Sequence, residues 1–225
     1  MKKRLTVFLL SIGISIQLFG QDNDSLKTSI EPKSAPIPVE GFASNKGFLM
    51  NAIIAKNFSA KSKFGIFTLM EYYGDYKNVQ SNHQFLGQSF LSYNVWKGFS
   101  VLGGATINQA TGFKPTLGFQ YALAGKDYFI LVIPRFDLVE EYNFEAFVMV
   151  EYMPKFSENW GLYTRIQGLY NQGLKHNLHD ISYIRLRLGA SYKNFRFGIG
   201  ANYAFYGPLK HNENSYGLFV RALLF

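Results

Sequence analysis

Hydrophobic and polar positions alternate strictly over residues 183–193, whose sequence is YIRLRLGASYK. Arg185 and Arg187 are two positions apart, and a large aliphatic residue stands on each side of both. On a helix this spacing would distribute arginines and aliphatic residues over several faces. On a β-strand the side chains alternate, so the arginines share one face and the aliphatic residues share the other. The stretch therefore predicts a strand with one charged face and one apolar face.

The same period-two pattern recurs from Gly47 to the last residue, in units of roughly ten alternating residues followed by a turn. Each unit is long enough for one strand, and no segment after residue 20 is a continuous apolar run of the length that a spanning helix needs. The units predict eleven strands, at 47–58, 63–74, 83–96, 99–108, 114–124, 127–138, 143–153, 159–171, 181–192, 195–206 and 214–225.

The composition of the two strand faces indicates which face meets lipid. In 143–152 the apolar side chains alternate with Glu145 and Glu151, and in 195–206 they alternate with Arg196, glycines and Asn202. A water-soluble antiparallel sheet has a polar outer face that is rich in lysine and glutamate. Here the polar face is narrow, and the apolar face carries aromatic residues near the strand ends. This arrangement predicts lipid outside and a polar interior.

The connections between the predicted strands alternate in length. Short turns such as WKGF, AGKD and YKNF alternate with longer polar stretches such as GDYKNVQSNH, NQGLKHNLHD and GPLKHNENS. Short turns on one side and longer loops on the other are typical of an up-and-down transmembrane β-barrel whose short turns face the periplasm. The fold class predicted for the chain is therefore all-β, antiparallel and transmembrane.

Parity decides the number of strands, because both ends of such a barrel lie on the same side of the membrane and the number is then even. A further strand within residues 36–45 would raise the count from eleven to twelve, although Pro36, Pro38 and Gly41 weaken the pattern there. Ten is the alternative, if 99–108 is not an independent span. We favour twelve.

The first residues have the layout of a secretory signal peptide: Lys2, Lys3 and Arg4, then an apolar run to about Leu18, then Gly20. An anchoring helix is the alternative, but the run is shorter than the ~20 residues that a span needs. We expect a signal peptide at 1–20, a polar, proline-containing arm at 21–46 that includes any first strand, and the barrel at 47–225. The mature chain is then exported.

Composition excludes several classes of site. The chain has no cysteine, which excludes disulfides, thiolate metal sites and a lipid-modified amino-terminal cysteine. Removal of a signal peptide with three cations lowers the net charge from +8 to +5. The remaining cations are spread along strand-like segments without a nucleic-acid-binding motif, so no nucleic-acid partner is predicted.

From residue 47 onward the chain resembles the small, porin-like up-and-down β-barrel proteins of gram-negative outer membranes. The resemblance rests on the signal peptide, the alternating segments and the terminal Phe225 of a final amphipathic strand. It implies an outer-membrane location in contact with lipid, and Phe225 as the feature that the barrel-assembly machinery recognises. In that family apolar residues usually continue at every second position back from the terminal aromatic, whereas here Gly217 and Arg221 occupy that phase.

The sequence offers little catalytic or metal-binding chemistry. All four histidines, His83, His176, His179 and His211, fall in predicted loops. His176 and His179 with Asp180 could form a surface metal site, but a solvated loop is the better interpretation. Ser81 and Ser215 each lie near a loop histidine, and no third partner completes a catalytic set. We therefore predict no enzyme activity, metal or cofactor.

The candidate site is a set of charged residues predicted to face the lumen. It consists of Arg135, Asp137, Glu145, Glu151, Arg165, Arg185, Arg187, Arg196 and Arg221. One interpretation is an arginine wall opposite carboxylates that orients a small polar or anionic solute. The other is an internal ion network that fills and stiffens a narrow barrel, because charges removed from water must be paired.

Three functions follow from these interpretations. The leading one is a porin or channel that passes small polar solutes with an anion preference. The alternative is a non-conducting structural or interaction barrel that holds an internal ion network. An outer-membrane enzyme is the third.

Overall fold

The computed structural model describes residues 35–225 except 60 and 141, and these residues form a closed barrel of twelve antiparallel strands. Every strand pairs with its neighbours in sequence, and the first strand pairs with the last. The predicted fold class and the strand count of twelve are confirmed. The strands are β1 (Ile37–Ser44), β2 (Gly47–Asn57), β3 (Phe64–Asp75), β4 (Gln84–Trp96), β5 (Phe99–Asn108), β6 (Gly112–Ala124), β7 (Tyr128–Asp137), β8 (Asn143–Tyr152), β9 (Trp160–Gly173), β10 (Leu178–Tyr192), β11 (Phe195–Tyr206) and β12 (His211–Leu224).

The twelfth strand is β1, which lies within the segment 36–45 where the sequence pattern is weak. The predicted signal peptide and most of the predicted arm lie outside the described residues. The one helix described is the short 3₁₀ turn Gln80–Asn82. Among the described residues, no helix is long and apolar enough to cross a bilayer.

The connections define two ends of the barrel. The turn end holds the connections 58–63, 97–98, 125–127, 153–159 and 193–194, together with the start of β1 and the end of β12. The loop end holds the connections 45–46, 76–83, 109–111, 138–142, 174–177 and 207–210.

The predicted contrast between short turns and long loops is wrong, because the longest connections at the two ends, 153–159 and 76–83, are of similar length. Several polar stretches that the sequence assigned to loops are strand. β9 continues to Gly173, β10 begins at Leu178 and β12 begins at His211. A hairpin that extends beyond the bilayer has water on its outer face. The apolar alternation stops there because lipid is absent, whereas the backbone pairing does not depend on lipid and continues.

The outer surface of the barrel is apolar. On β12 the side chains of Tyr216, Leu218 and Val220 are exposed, and on β10 those of Ile184 and Leu188 are exposed. An exposed belt of large aliphatic and aromatic side chains is unfavourable in water and fits the hydrocarbon of a bilayer. A closed barrel also leaves no unpaired strand edge in lipid. The fold is that of a transmembrane β-barrel.

The interior contains a packed apolar cluster as well as polar residues. The cluster takes side chains from eight strands, so it joins parts of the wall that are far apart around the barrel. Its buried members are Ile53, Phe67, Leu69, Phe90, Leu102, Leu131, Ile133, Phe147, Met149, Leu169 and Tyr183. A second, smaller cluster consists of Phe42, Leu49, Tyr163 and Phe219.

The seam between β1 and β12 closes the barrel. The paired residues run from Ile37 opposite Leu224 to Ser44 opposite Gly217. A Cβ atom at position 217 would lie 1.9 Å from the carbonyl oxygen of Ala43, so the seam has no room for a side chain there. Glycine thus occupies position 217, where the every-second-residue pattern of the last strand would place an apolar side chain, for a steric reason. Phe225 follows the end of β12, and its side chain is exposed.

Candidate functional site in the barrel interior

Eight of the nine charged residues that the sequence assigned to the lumen are buried inside the barrel. The exception is Arg196, which is half-buried near the turn end. Its Nη1 donates to the carbonyl oxygens of Lys193 and Phe195, at 3.1 Å each. Arg196 therefore binds its own turn and has no carboxylate partner in the part of the chain described. The other eight are Arg135, Asp137, Glu145, Glu151, Arg165, Arg185, Arg187 and Arg221.

Glu40 on β1 is the centre of one ionic cluster. Its Oε1 accepts hydrogen bonds from Arg165 Nη2 at 2.6 Å and from Arg187 Nε at 3.0 Å. The side chains of Glu40 and Arg165 are 1% and 0% exposed, so water does not reach this pair. The guanidinium of Arg187 also lies 4.1 Å from the ring centroid of Phe42. A charge-assisted contact between groups this deeply buried holds the three strands together.

Arg221, Glu151 and Tyr163 form a second buried cluster. Arg221 Nη1 donates to Glu151 Oε1 at 2.6 Å and to the Tyr163 hydroxyl at 2.8 Å. The hydroxyl in turn donates to the same carboxylate oxygen at 2.8 Å. This cluster joins β12 to β8 and β9, and its members satisfy one another without a ligand.

A third group lies toward the loop end on β5 to β8. Arg135 donates to Glu145 Oε1 from Nε at 3.0 Å and from Nη2 at 2.5 Å. Its Nη1 donates to Thr106 Oγ1 at 2.5 Å. Beside it, Lys114 Nζ lies 3.0 Å from Asp137 Oδ2. Each carboxylate here thus has a cation from a neighbouring strand.

Arg185 on β10 meets Glu71 on β3. Nη1 donates to Oε2 at 2.5 Å and Nη2 donates to Oε1 at 2.7 Å, which is a two-pronged guanidinium–carboxylate contact. The side chains are 10% and 12% exposed, against 1% or less for Glu40 and Arg165. The guanidinium also lies 4.1 Å from the ring centroid of Tyr183.

A cavity of about 730 Å³ opens at the loop end, and we call it the cup. The pairs Lys114–Asp137, Arg135–Glu145 and Arg185–Glu71 all contribute to its lining. Amide and phenol groups supply most of the other polar lining, from Asn108, Asn143, Asn171, Asn202, Asn214, Tyr73, Tyr183 and Tyr206.

The charges that line the cup are nearly balanced. Among the described residues, four cations and five anions contribute to it. A lining of both signs at close spacing produces no strong field of one sign along the cup. The cations are Lys46, Lys114, Arg135 and Arg185, and the anions are Glu71, Asp137, Glu145, Asp180 and Glu213.

The barrel is closed between the cup and the turn end. On β7 the cup residue Arg135 is followed toward the turn end by Ile133 and Leu131, and on β8 Glu145 is followed by Phe147 and Met149. The apolar cluster and the Glu40–Arg165–Arg187 group together fill the barrel at this level, and we call them the closed layer. Their side chains are almost wholly buried, so among the described residues they leave little solvent-accessible surface at this level.

Sequence reasoning missed Glu40, Glu71 and Lys114. Glu40 lies in the short first strand, whose pattern is interrupted by prolines. Glu71 shares the inner face of β3 with Phe67 and Leu69, so most of that strand is apolar on both faces. The sequence of β3 therefore does not show which face Glu71 is on. Lys114 stood at a predicted strand start, where boundaries are uncertain by a few residues.

Two of the four histidines do not lie in loops, which corrects the prediction. His211 begins β12, and His179 lies in β10 with its side chain buried. The Nδ1 of His179 lies 2.8 Å from the Gly207 carbonyl oxygen and its Nε2 lies 3.0 Å from Ser182 Oγ. Both ring nitrogens are therefore engaged within the fold. Among the described residues, no group of three or more His, Asp or Glu side chains is placed to hold a metal ion.

The two serines that lie near predicted loop histidines in the sequence both line the cup. Ser81, His83 and Ser215 all contribute to its lining. Neither serine hydroxyl is hydrogen-bonded to His83 in the part of the chain described, and the histidine ring packs edge-on against Tyr72 at 6.4 Å. The nucleophile–base contact that covalent catalysis requires is thus not formed here.

Comparison with known proteins identifies no family. No family model matches the chain, and no curated protein matches it. Among solved structures, the KdgM porin is similar at 13% identity and a TM-score of 0.45, over 83% of this chain and 98% of that one. A NanC porin is similar at 10% identity and a TM-score of 0.48, over 84% of this chain and 100% of that one. LpxR from Salmonella typhimurium is similar at 9% identity and a TM-score of 0.42, over 85% of this chain and 100% of that one.

Proposed function

We propose that the protein is an outer-membrane barrel of the porin type that receives small polar solutes in its cup. The cup carries this proposal, because it is a preformed cavity that opens at one end and combines apolar lining with many hydrogen-bonding side chains. Its volume of about 730 Å³ lies in the range of small-molecule sites, roughly 300–1,000 Å³. Amides, phenols and paired charges can hydrogen-bond a polar solute from several sides at once.

The near balance of charge in the cup bears on which sign of solute charge it would select. An arginine wall would favour anions, but each arginine in the lining is paired with a carboxylate. We therefore propose polar solutes that are selected by hydrogen bonding and size, without strong selection for one sign of charge.

Passage through the barrel requires the closed layer to open. The Arg185–Glu71 pair lies at the boundary between the cup and that layer, since it contributes to the cup while Arg187, two residues further along β10, belongs to the layer. We propose that the conformation described is the closed state of the channel, and that displacement of this pair is part of opening.

The second candidate is a non-conducting barrel with an internal ion network. The specific observation in its favour is the closed layer itself, in which apolar packing and ion pairs fill the interior without a ligand. In this case the cup would be a binding site with no exit toward the turn end.

Conductance across a planar bilayer distinguishes the two candidates. The proteins compared are the wild type and the double variant Glu71→Ala with Arg185→Ala, which removes both members of the boundary pair without leaving one charge unpaired. We expect rare openings in the wild type and more frequent or larger ones in the double variant. The matched control is Glu140→Ala with Lys175→Ala, an exposed ion pair at the loop end, which should leave conductance unchanged. Silence of all three proteins would reject the channel and favour the second candidate.

A further inference from the structure

Every connection at the turn end carries at least one lysine. The six lysines have exposed side chains and stand in five different turns, so they encircle that end of the barrel. We call this set the lysine collar: Lys61, Lys63, Lys97, Lys126, Lys155 and Lys193.

Acidic residues are sparse at the same end. Asp127 and Glu158 are the acidic residues in the five turns, so most of the collar charge is uncompensated locally. At the loop end, the acidic residues of the 138–142 connection, together with Asp75, Asp180 and Glu213 at strand ends, offset the four loop lysines. The barrel is therefore electrostatically polar along its axis, and its turn end is positive.

Aromatic residues place the collar at the depth of lipid headgroups. Both tryptophans of the chain, Trp96 and Trp160, lie at the turn end with exposed side chains. Lys97 Nζ is 5.4 Å from the ring centroid of Trp96, and Lys193 Nζ is 5.4 Å from that of Tyr192. Tryptophan and tyrosine concentrate at the interface between hydrocarbon and water, so the adjacent ammonium groups reach the phosphate level.

We infer that the lysine collar binds the anionic phospholipid headgroups of the leaflet that meets the turn end. An anionic leaflet attracts clustered lysines near its surface, and the attraction is effective over about one Debye length, roughly 10 Å at 0.1 M salt. The collar meets these conditions, because Lys97 and Lys193 stand beside interfacial aromatics and its six lysines share their five turns with two acidic residues. The inference is independent of solute passage, since it concerns the outside of the barrel.

Lipid retention by the purified full-length mature barrel tests the inference. The protein is equilibrated in mixed micelles that contain phosphatidylglycerol and phosphatidylcholine, and the retained lipids are counted by native mass spectrometry. The collar variant is Lys63→Gln, Lys97→Gln, Lys126→Gln and Lys193→Gln. The control variant is Lys46→Gln, Lys77→Gln, Lys175→Gln and Lys210→Gln, which removes the same charge from the loop end. The heat-induced shift of each variant in gel electrophoresis verifies that it is folded.

We expect the wild type and the control variant to retain phosphatidylglycerol in preference to phosphatidylcholine. The collar variant should lose that preference by about tenfold or more, given the attraction that each lysine contributes near an anionic surface. Added salt should weaken the wild-type preference by screening. An equal preference in all three proteins, no preference in the wild type, or a greater loss in the control variant would overturn the inference. If the quadruple collar variant does not fold, the double variant Lys97→Gln with Lys193→Gln is compared in the same assay with Lys77→Gln and Lys210→Gln, and the same outcomes apply.

Discussion

Arg185 and Glu71 are joined across the barrel, although four strands separate β10 from β3 in the shorter direction around the wall. Two hydrogen bonds of 2.5 and 2.7 Å connect the guanidinium to the carboxylate. A contact of this kind between distant parts of the wall requires the interior to be narrow. It also explains why the predicted arginine wall does not form: apart from Arg196, its arginines reach inward and meet carboxylates from other strands.

Removal of the Glu40 carboxylate should strongly destabilise the barrel. Glu40→Gln leaves Arg165 and Arg187 in a water-free interior without their shared counter-charge, and a broken buried pair costs about 3–5 kcal/mol. Thermal unfolding in detergent should show a clear fall in Tm. Glu140→Gln is the control, because its ion pair with Lys175 is exposed and contributes less than about 1 kcal/mol. An equal Tm for the two variants would contradict the assigned role of Glu40.

The seam between β1 and β12 should not tolerate a side chain at Gly217. In Gly217→Ala the new methyl group would meet the Ala43 carbonyl oxygen at 1.9 Å, and overpacking of this kind costs about 1–3 kcal/mol or more. We expect less heat-modifiable, folded protein in the membrane fraction. Gly168→Ala is the matched control, since its nearest neighbour would be the Tyr183 carbonyl oxygen at an ordinary 3.7 Å. If both substitutions reduce folded protein equally, the steric argument for the seam fails.

Labelling of single cysteines in intact cells should report the orientation of the barrel. The chain has no native cysteine, so each introduced thiol gives an unambiguous signal. The start of β1 and the end of β12 both lie at the turn end, and both ends of such a barrel are expected in the periplasm. With the turn end in the periplasm, we expect cysteines at Asn82, Lys175 and Asn212 to react with an impermeant reagent. Cysteines at Lys97, Lys126 and Asn194 should react only after the outer membrane is opened. Reaction of the second set alone would invert the orientation.

Deletion of Phe225 should lower the amount of assembled protein. Phe225 directly follows β12, the strand that closes the sheet against β1, and a terminal aromatic is the expected feature for barrel assembly. Phe225→Tyr keeps an aromatic ring and should assemble normally. Quantification of folded protein in outer-membrane fractions checks both. Normal levels for the deletion would remove Phe225 from the assembly step.

The alternation of apolar and polar residues was sufficient to predict the strands. It arises because successive side chains of each strand face lipid and the barrel interior in turn. Each of the eleven predicted strands exists, and the boundaries differ by at most a few residues. The same physics explains the errors at the loop end. There β12 begins at His211, in a polar stretch where lipid no longer imposes the pattern although backbone pairing continues.

The partners inside the barrel could not be predicted in the same way. A pair such as Arg165 with Glu40 is separated by 125 positions in sequence and by three intervening strands around the wall. Which side chains meet across an interior depends on its width, and the width depends on how many large apolar side chains enter it. Phe67 and Leu69 point inward beside Glu71, and an alternating pattern cannot distinguish an apolar interior face from a lipid face.

The position of Glu40 on the first strand has a consequence for biogenesis. Its two guanidinium partners arrive 125 and 147 residues later, so the cluster is complete only when the sheet has become a ring. Until then Arg165 and Arg187 carry positive charge toward a forming, water-poor interior without that carboxylate. Closure of the ring brings in the Glu40 carboxylate, which offsets one of these two positive charges. A sheet that stays open, or that closes without β1, therefore keeps two guanidinium groups in a water-poor interior without this carboxylate, which is energetically unfavourable.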